Sequence, residues 1–99
     1  MKPHIKAKIT LYDTHKKVYT GYRPAHLIKP DYLTTGIQQY LEKDWLYPNE
    51  STEGYITFCS PEAYPHCLSV GQCMSMQEGA KVVGMVKVLE IYDKILEKE

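Results

Sequence analysis

Apolar residues near the start of the chain recur at every second position, and this pattern constrains the fold more than any other feature. Between residues 4 and 12, the alternating apolar side chains are those of Ile5, Ala7, Ile9 and Leu11. A period of two is typical of a β-strand that buries one face and exposes the other. The segment is therefore predicted to be a strand that covers one side of an apolar core.

The longest predicted strand, residues 80–91, is apolar on both faces. The two expected faces carry Val82, Gly84, Val86 and Val88 on one side and Val83, Met85, Lys87 and Leu89 on the other. A strand of this kind is typical of the centre of a closed barrel or sandwich. Because only the Glu78-Gly79 turn separates it from an extended segment at residues 72–77, we predict a hairpin there.

Glycine, proline and polar clusters divide the rest of the chain. Extended segments are predicted at residues 18–28, 32–41 and 55–59, with Gly36 as a bulge in the second of these. Loops are predicted at residues 13–17, 29–31, 49–54 and 62–71, the first of them a hairpin loop.

Two segments have helical spacing. Residues 42–49 are ambiguous, because Leu41, Trp45 and Leu46 are spaced as in a helix but Pro48 ends the segment quickly. The tail, residues 92–99, is predicted to form one or two turns of helix. Together, about six short strands with regularly spaced turns predict an all-β fold, a small six-stranded antiparallel barrel in one domain.

Composition restricts the class of protein. A chain of 99 residues is expected to form a single domain, here residues 1–99. Twelve basic and twelve acidic residues balance, so we expect no strong non-specific attraction to nucleic acid or anionic membrane. No segment has the length and apolarity of a membrane span, and no apolar signal segment follows the first residues. We therefore expect a cytoplasmic protein with no membrane partner.

Cysteine and histidine do not form a recognisable reactive or metal-binding motif. The odd number of cysteines, at Cys59, Cys67 and Cys73, predicts reduced thiols. A zinc site is disfavoured, because there is no Cys-x-x-Cys pair and because the adjacent His66 and Cys67 point to opposite sides of an extended chain. A Cys–His nucleophile would lack an oxyanion hole and an orienting group. We expect no cofactor, no metal and no catalytic residues.

Tyrosine is the dominant aromatic residue. The chain has nine tyrosines, one phenylalanine and one tryptophan. Tyrosine suits a half-buried barrel wall, where the ring packs and the hydroxyl stays wet, and this is the preferred interpretation, although tyrosine is also common at binding surfaces. Composition alone leaves both interpretations open.

Two runs of residues resemble the C-terminal (third) β-barrel domain of elongation factor Tu. The first is Gly-Tyr-Arg-Pro at residues 21–24, followed by Leu-Thr at residues 33–34, and the second is MQEGAKVVGMVKVL at residues 76–89. Thr57 and Ser60-Pro61 lie where that family has a strand ending in a proline. The resemblance covers residues 4–91, leaves residues 92–99 as a tail, and implies a six-stranded antiparallel barrel.

In that family the domain packs against a GTP-binding domain and contacts aminoacyl-tRNA. The resemblance implies tRNA-contact residue types at His15, Thr34, Glu78 and Gly79. Three expected contacts depart from the pattern, at Thr14, Ala25 and Ser60. Loss of their charges and amide donors weakens phosphate binding, so tRNA is expected to be a weak partner. The chain also lacks a Gly-x-x-x-x-Gly-Lys-Ser/Thr loop, so we expect no GTP binding.

Two functions are compatible with these residues. The first is a non-catalytic protein-interaction module of regulatory, decoy or immunity type, with a translation GTPase or its regulator as the partner. The second is an RNA-binding module that contacts the A-form backbone of a tRNA-like molecule. Balanced charge and abundant tyrosine favour the first. The candidate binding residues for either function are His15, Arg23, Thr34, Gln77, Glu78, Gly79 and Lys81.

Overall fold

The computed structural model of the chain describes residues 2–13 and 16–99. It contains eight strands among the described residues: β1 (Ile5–Leu11), β2 (Val18–Tyr19), β3 (Ala25–Lys29), β4 (Tyr32–Tyr40), β5 (Trp45–Leu46), β6 (Ser51–Phe58), β7 (Cys73–Glu78) and β8 (Lys81–Ile91). Single turns of 3₁₀ helix lie at Pro61–Ala63 and Lys94–Leu96. Six strands form a closed antiparallel barrel in the order β1-β6-β4-β3-β7-β8, and β2 and β5 form a separate two-stranded sheet. The predicted all-β barrel is confirmed.

Strand β1 closes the barrel. It pairs with β6 on one side and with β8 on the other, so that Ile9 lies opposite both Thr52 and Val86. The predicted alternation is confirmed, because all four apolar side chains of β1 are fully buried. Burial of these side chains stabilises the fold by roughly 1.5–3 kcal/mol for each of the larger ones.

The predicted hairpin at residues 13–17, of which residues 14–15 lie outside the described residues, and the predicted loop at residues 49–54 are both wrong. Residues 13–17 do not connect a hairpin, because the next strand after β1 is β2, which leaves the barrel and pairs with β5. Residues 49–54 are not a loop, since β6 already begins at Ser51. Ser51 and Glu53 are exposed on the solvent side of β6, whereas Gly54 is buried against Ile9 and the backbone of Gln39.

The expected faces of β8 change at a bulge. The register with β7 shifts between Met76, which pairs with Gly84, and Gln77, which pairs with Val82. As a result Val83 is fully buried, next to the buried Gly84, whereas Val82 is 42% exposed. The predicted faces are therefore wrong at Val82, which is exposed, and at Val83, which is buried instead of sharing the exposed face of Met85 and Lys87.

Gly36 is not a bulge. The irregularity in that hairpin lies in β3, between Leu27 and Lys29. A Cβ atom at Gly36 would lie 2.9 Å from the ring of His26 and from the side chain of Ile56. Gly36 therefore provides the space in which the His26 ring is buried.

The segments with helical spacing fold differently from one another. The ambiguous residues 42–49 contain the short strand β5 rather than a helix. The tail forms one 3₁₀ turn at Lys94–Leu96, within the predicted length, and it buries Leu96. Among the described residues, no helix is long and apolar enough to cross a membrane.

A polar network lies inside the barrel between β3, β4 and β7. The amide nitrogen of Gln38 is 3.1 Å from Nε2 of His26 and 3.2 Å from Sδ of Met76. The hydroxyl of Tyr40 donates to the amide oxygen of Gln38 at 2.9 Å. Because an amide nitrogen can only donate, Nε2 of His26 accepts and Nδ1 carries the ring proton. Nδ1 makes no full hydrogen bond to a described residue.

All the loops at one end of the barrel come together because neighbouring strands are antiparallel. The C-terminal ends of β1, β4 and β7 meet the N-terminal ends of β6, β3 and β8 there. We call this the upper end, formed by residues 12–13, 16–24, 41–50 and 79–80. The lower end is formed by residues 2–4, 30–31, 59–72 and 92–99. The two-stranded β2–β5 sheet lies within the loops of the upper end.

The buried His26 should make the barrel sensitive to acid. Burial lowers the pKa of His26 from 6.5 to about 4, although the backbone carbonyls of Thr34 and Pro24 raise it to a smaller extent. Between these two pH values the unfolded chain binds a proton at His26 and the folded chain does not. The contribution of neutral His26 to the stability of the fold is therefore complete above pH 6.5 and is lost as the pH falls towards 4. We expect His26 to lower the free energy of unfolding, measured by urea denaturation, by about 3 kcal/mol between pH 7 and pH 4.

The His26→Gln variant isolates that contribution, since it keeps a polar side chain but cannot gain the proton. The free energy of unfolding of this variant should therefore depend much less on pH between pH 7 and pH 4 than that of the unchanged chain. An unchanged pH dependence in His26→Gln would contradict the assignment.

Candidate functional site at the upper end of the barrel

The β2–β5 sheet has an inner and an outer face. Val18 pairs with Leu46, and Tyr19 pairs with Trp45. Val18 and Leu46 are buried within the core, whereas Tyr19 is 55% exposed and Trp45 is 36% exposed. Because successive side chains of a strand point to opposite faces, the aliphatic pair anchors the sheet to the core and the aromatic pair faces solvent.

Three aromatic rings are contiguous on this outer face. The ring centroids of Tyr19 and Trp45 are 4.6 Å apart, and those of Trp45 and Tyr47 are 6.3 Å apart with planes only 10° from parallel. Tyr47 is 49% exposed. We call Tyr19, Trp45 and Tyr47 the aromatic surface. Cross-strand aromatic contacts hold the rings in place before any partner arrives.

A lysine ammonium lies on the aromatic surface. Nζ of Lys17 is 3.9 Å from the centroid of Trp45 and 5.7 Å from that of Tyr47. These distances are within the range of a cation–π interaction, which contributes about 0.5–1 kcal/mol at an exposed site. Among the described residues, Lys17 has no carboxylate in an ion pair with it.

The segment that follows β2 joins the aromatic surface to the β7–β8 turn. The amide of Thr20 donates to the carbonyl of Asp44 at 2.8 Å, which fixes the segment to the β4–β5 loop. The hydroxyl of Tyr22 donates to the carboxylate of Glu78 at the turn. Burial and the neighbouring Glu78 carboxylate both raise the pKa of Tyr22, so its hydroxyl stays protonated and can donate. Gly79 has a φ of +60°, the left-handed conformation that glycine adopts readily.

The upper end gathers most of the predicted site residues. Ala25 pairs with Gln77, and this register brings the chain before β3 next to the β7–β8 turn. Arg23 is exposed, and no described residue forms an ion pair with it. The other predicted residues at this end of the barrel belong to the β7–β8 turn: Gln77, Glu78, Gly79 and Lys81. His15 lies outside the described residues.

Thr34 does not belong to this surface. It is only 9% exposed, and its hydroxyl is 3.0 Å from the hydroxyl of Tyr64. Tyr64 is buried in the loop between β6 and β7, which belongs to the lower end. Because its side chain is buried and hydrogen-bonded, Thr34 is a structural residue, and the interpretation of Thr34 as a surface contact is wrong.

Sequence reasoning missed the aromatic surface. Strands of two residues are too short for a period to be recognised, and in the sequence Trp45 stands out only for its helical spacing from Leu41. The sequence does carry one signal of it, the excess of tyrosine, because tyrosine occurs at binding surfaces as well as in barrel walls. Exposure of a tryptophan and two tyrosines side by side favours that interpretation at the upper end.

No group of three or more His, Cys, Asp or Glu side chains in residues 2–13 and 16–99 could hold a metal ion. Cys59 and Cys73 are exposed, and partial burial raises the pKa of the Cys67 thiol, which keeps that thiol protonated. The chemistry that the upper end can supply is therefore stacking, cation–π contact and hydrogen bonding.

Comparison with known proteins gives no match to a protein-family model and no match to a curated protein. The resemblance of residues 4–91 to the third domain of elongation factor Tu stays a prediction, because unrelated proteins share small β-barrels.

Arg23 should contribute to binding rather than to stability. We expect Arg23→Ala to change the free energy of unfolding by no more than about 0.5 kcal/mol, because the side chain is exposed and has no described ion-pair partner. Val86→Ala, in the fully buried face of β8, should lower it by roughly 1–3 kcal/mol by leaving a cavity. Thermal and urea denaturation compare the two variants, and a large loss in Arg23→Ala would make Arg23 a structural residue.

Proposed function

We propose that this chain is a non-catalytic protein-binding module that docks through the upper end of its barrel. The observation that carries the proposal is the aromatic surface, in which Tyr19, Trp45 and Tyr47 are exposed side by side. Tryptophan, tyrosine and arginine are the residues that most often dominate the binding energy of protein interfaces. Arg23 lies at the same end of the barrel, next to the β7–β8 turn.

The rigidity of the aromatic surface supports docking. Val18 and Leu46 fix the β2–β5 sheet to the core, and Tyr22 links the adjoining segment to Glu78. Side chains that are already ordered lose less conformational entropy when a partner binds. The surface therefore requires little rearrangement before it can make contact.

The charges at the upper end favour a protein over a nucleic acid. Nζ of Lys43 is 2.9 Å from Glu50, and the exposed Glu42 and Asp44 lie on the same loop. Acidic residues within the surface repel phosphates, and tight RNA binding depends on several unopposed Lys or Arg contacts. A mixed, nearly neutral rim around aromatic residues is typical of protein interfaces.

The class of partner is proposed from the sequence resemblance. The third domain of elongation factor Tu docks on a GTP-binding domain, so we propose a translation GTPase or its regulator as the partner, in the cytoplasm. The barrel would bind this partner whether its role is that of a regulator, a decoy or an immunity protein.

RNA binding is the second candidate function. The nearly parallel rings of Trp45 and Tyr47 are the observation that favours it, because exposed aromatic rings stack on bases of single-stranded RNA. This mode differs from the predicted contact with an A-form backbone, and it would use Lys17 rather than Thr34.

A photocrosslinking residue at Tyr47 tests the proposal. At this position the crosslinker should form a protein adduct that resists nuclease, either with a purified translation GTPase or with a protein of a native lysate. The same crosslinker at Tyr92, which is exposed at the lower end, should form no such adduct. Trp45→Ala should weaken the complex about 30-fold, the loss expected for a dominant interface residue.

Two outcomes would contradict the proposal. Adducts that disappear after ribonuclease treatment would identify an RNA-binding module. Adducts formed from Tyr92 and not from Tyr47 would move the interface to the lower end of the barrel.

A further inference from the structure

We propose that the aromatic surface recognises an arginine side chain of the protein partner, and that this arginine displaces Lys17 from the ring of Trp45. The inference rests on the proposed function, because it specifies the chemistry of the partner at the same surface. It assigns to Lys17 the role of an internal competitor.

The position of Lys17 is the first observation. Its ammonium lies 3.9 Å from the centroid of Trp45 and has no described carboxylate in an ion pair with it. Because Lys17 has no such ion pair, the described groups that attract its ammonium are the aromatic rings. The negative potential over the ring faces is therefore strong enough to attract a cation in the unbound chain.

The geometry of the rings favours guanidinium over ammonium. Trp45 and Tyr47 are within 10° of parallel, and Tyr19 adds a third ring 4.6 Å from Trp45. A guanidinium group is planar and weakly hydrated, so it stacks on aromatic faces with a larger contact area than the compact, strongly hydrated ammonium of lysine. An incoming arginine can therefore compete with Lys17 on the same ring.

Neighbouring carboxylates can complete the contacts of a guanidinium. Glu42 and Asp44 are exposed on the loop that leads into β5, and neither forms an ion pair with a described residue. Glu50, by contrast, is already paired with Lys43. A guanidinium stacked on Trp45 has N–H donors at its edge, and carboxylates are their preferred acceptors.

Displacement of Lys17 requires no change in the barrel. Lys17 is exposed, so its ammonium can return to water when it leaves the ring. A shallow depression of about 320 Å³ runs along residues 17–22 beside the aromatic surface, which leaves room for a second long side chain.

The alternative is that Lys17 stays on Trp45 and contacts an acidic group of the partner. In that case Lys17 would strengthen binding, whereas in our proposal it weakens binding. The two interpretations therefore predict opposite effects of removing the Lys17 charge.

Fluorescence of Trp45 measures this effect directly, because Trp45 is the only tryptophan of the chain. The probe is the blocked tripeptide Gly-Arg-Gly, with blocked Gly-citrulline-Gly as its uncharged isostere. We expect a saturable change with the arginine peptide alone. Lys17→Gln should bind it roughly two- to fivefold more tightly, the factor that corresponds to one exposed cation–π contact. Lys87→Gln, which removes one charge from the barrel wall, should leave the affinity unchanged.

Equal responses to arginine and citrulline, or unchanged or weaker arginine binding in Lys17→Gln, would overturn the inference. So would binding of blocked Gly-Glu-Gly that is lost in Lys17→Gln. These results are separate from failure of the proposed function, which is judged by whether Trp45→Ala loses the protein adduct. If Trp45→Ala loses the protein adduct but the unchanged chain does not bind the arginine peptide, the proposed function stands and only this inference is overturned.

Discussion

The pairing of β1 with both β6 and β8 is the constraint on which the rest of the structure depends. It buries the four alternating apolar side chains of β1 and removes the free edges that an open sheet would present. Closure also decides where the connections lie, because antiparallel neighbours send every loop to one of two ends. Residues that are distant in the sequence, such as Tyr19 and Trp45, thereby meet at the upper end.

The upper end combines an anchored base with an exposed aromatic face. Val18 and Leu46 join the core, while their neighbours Tyr19 and Trp45 face solvent. Tyr22 then connects this sheet to Glu78, so the aromatic surface and the β7–β8 turn are parts of one continuous region. In the account proposed above, the core interactions of two short strands set the geometry of the interface.

The parts of the fold that could be predicted from the sequence are those with long, regular patterns. The buried face of β1 and the β7–β8 hairpin follow from alternation and a glycine turn. The bulge that exposes Val82 could not be predicted, because neighbouring valines fit either face until the register with Met76 is known. The aromatic surface was missed for a related reason: β2 and β5 are too short to show a period, and the pairing of Tyr19 with Trp45 is a property of the closed barrel. Thr34 was misassigned because residue type alone does not reveal burial.

Backbone amide hydrogen exchange tests whether the upper end of the barrel is the interface. Exchange rates of the free chain are compared with those of the chain in its captured complex. If the partner docks on the upper end, binding should slow exchange in residues 17–22 and 42–47 and leave exchange in the lower-end loop at residues 59–72 unchanged. Protection of residues 59–72, with no change at residues 17–22 and 42–47, would contradict docking on the upper end.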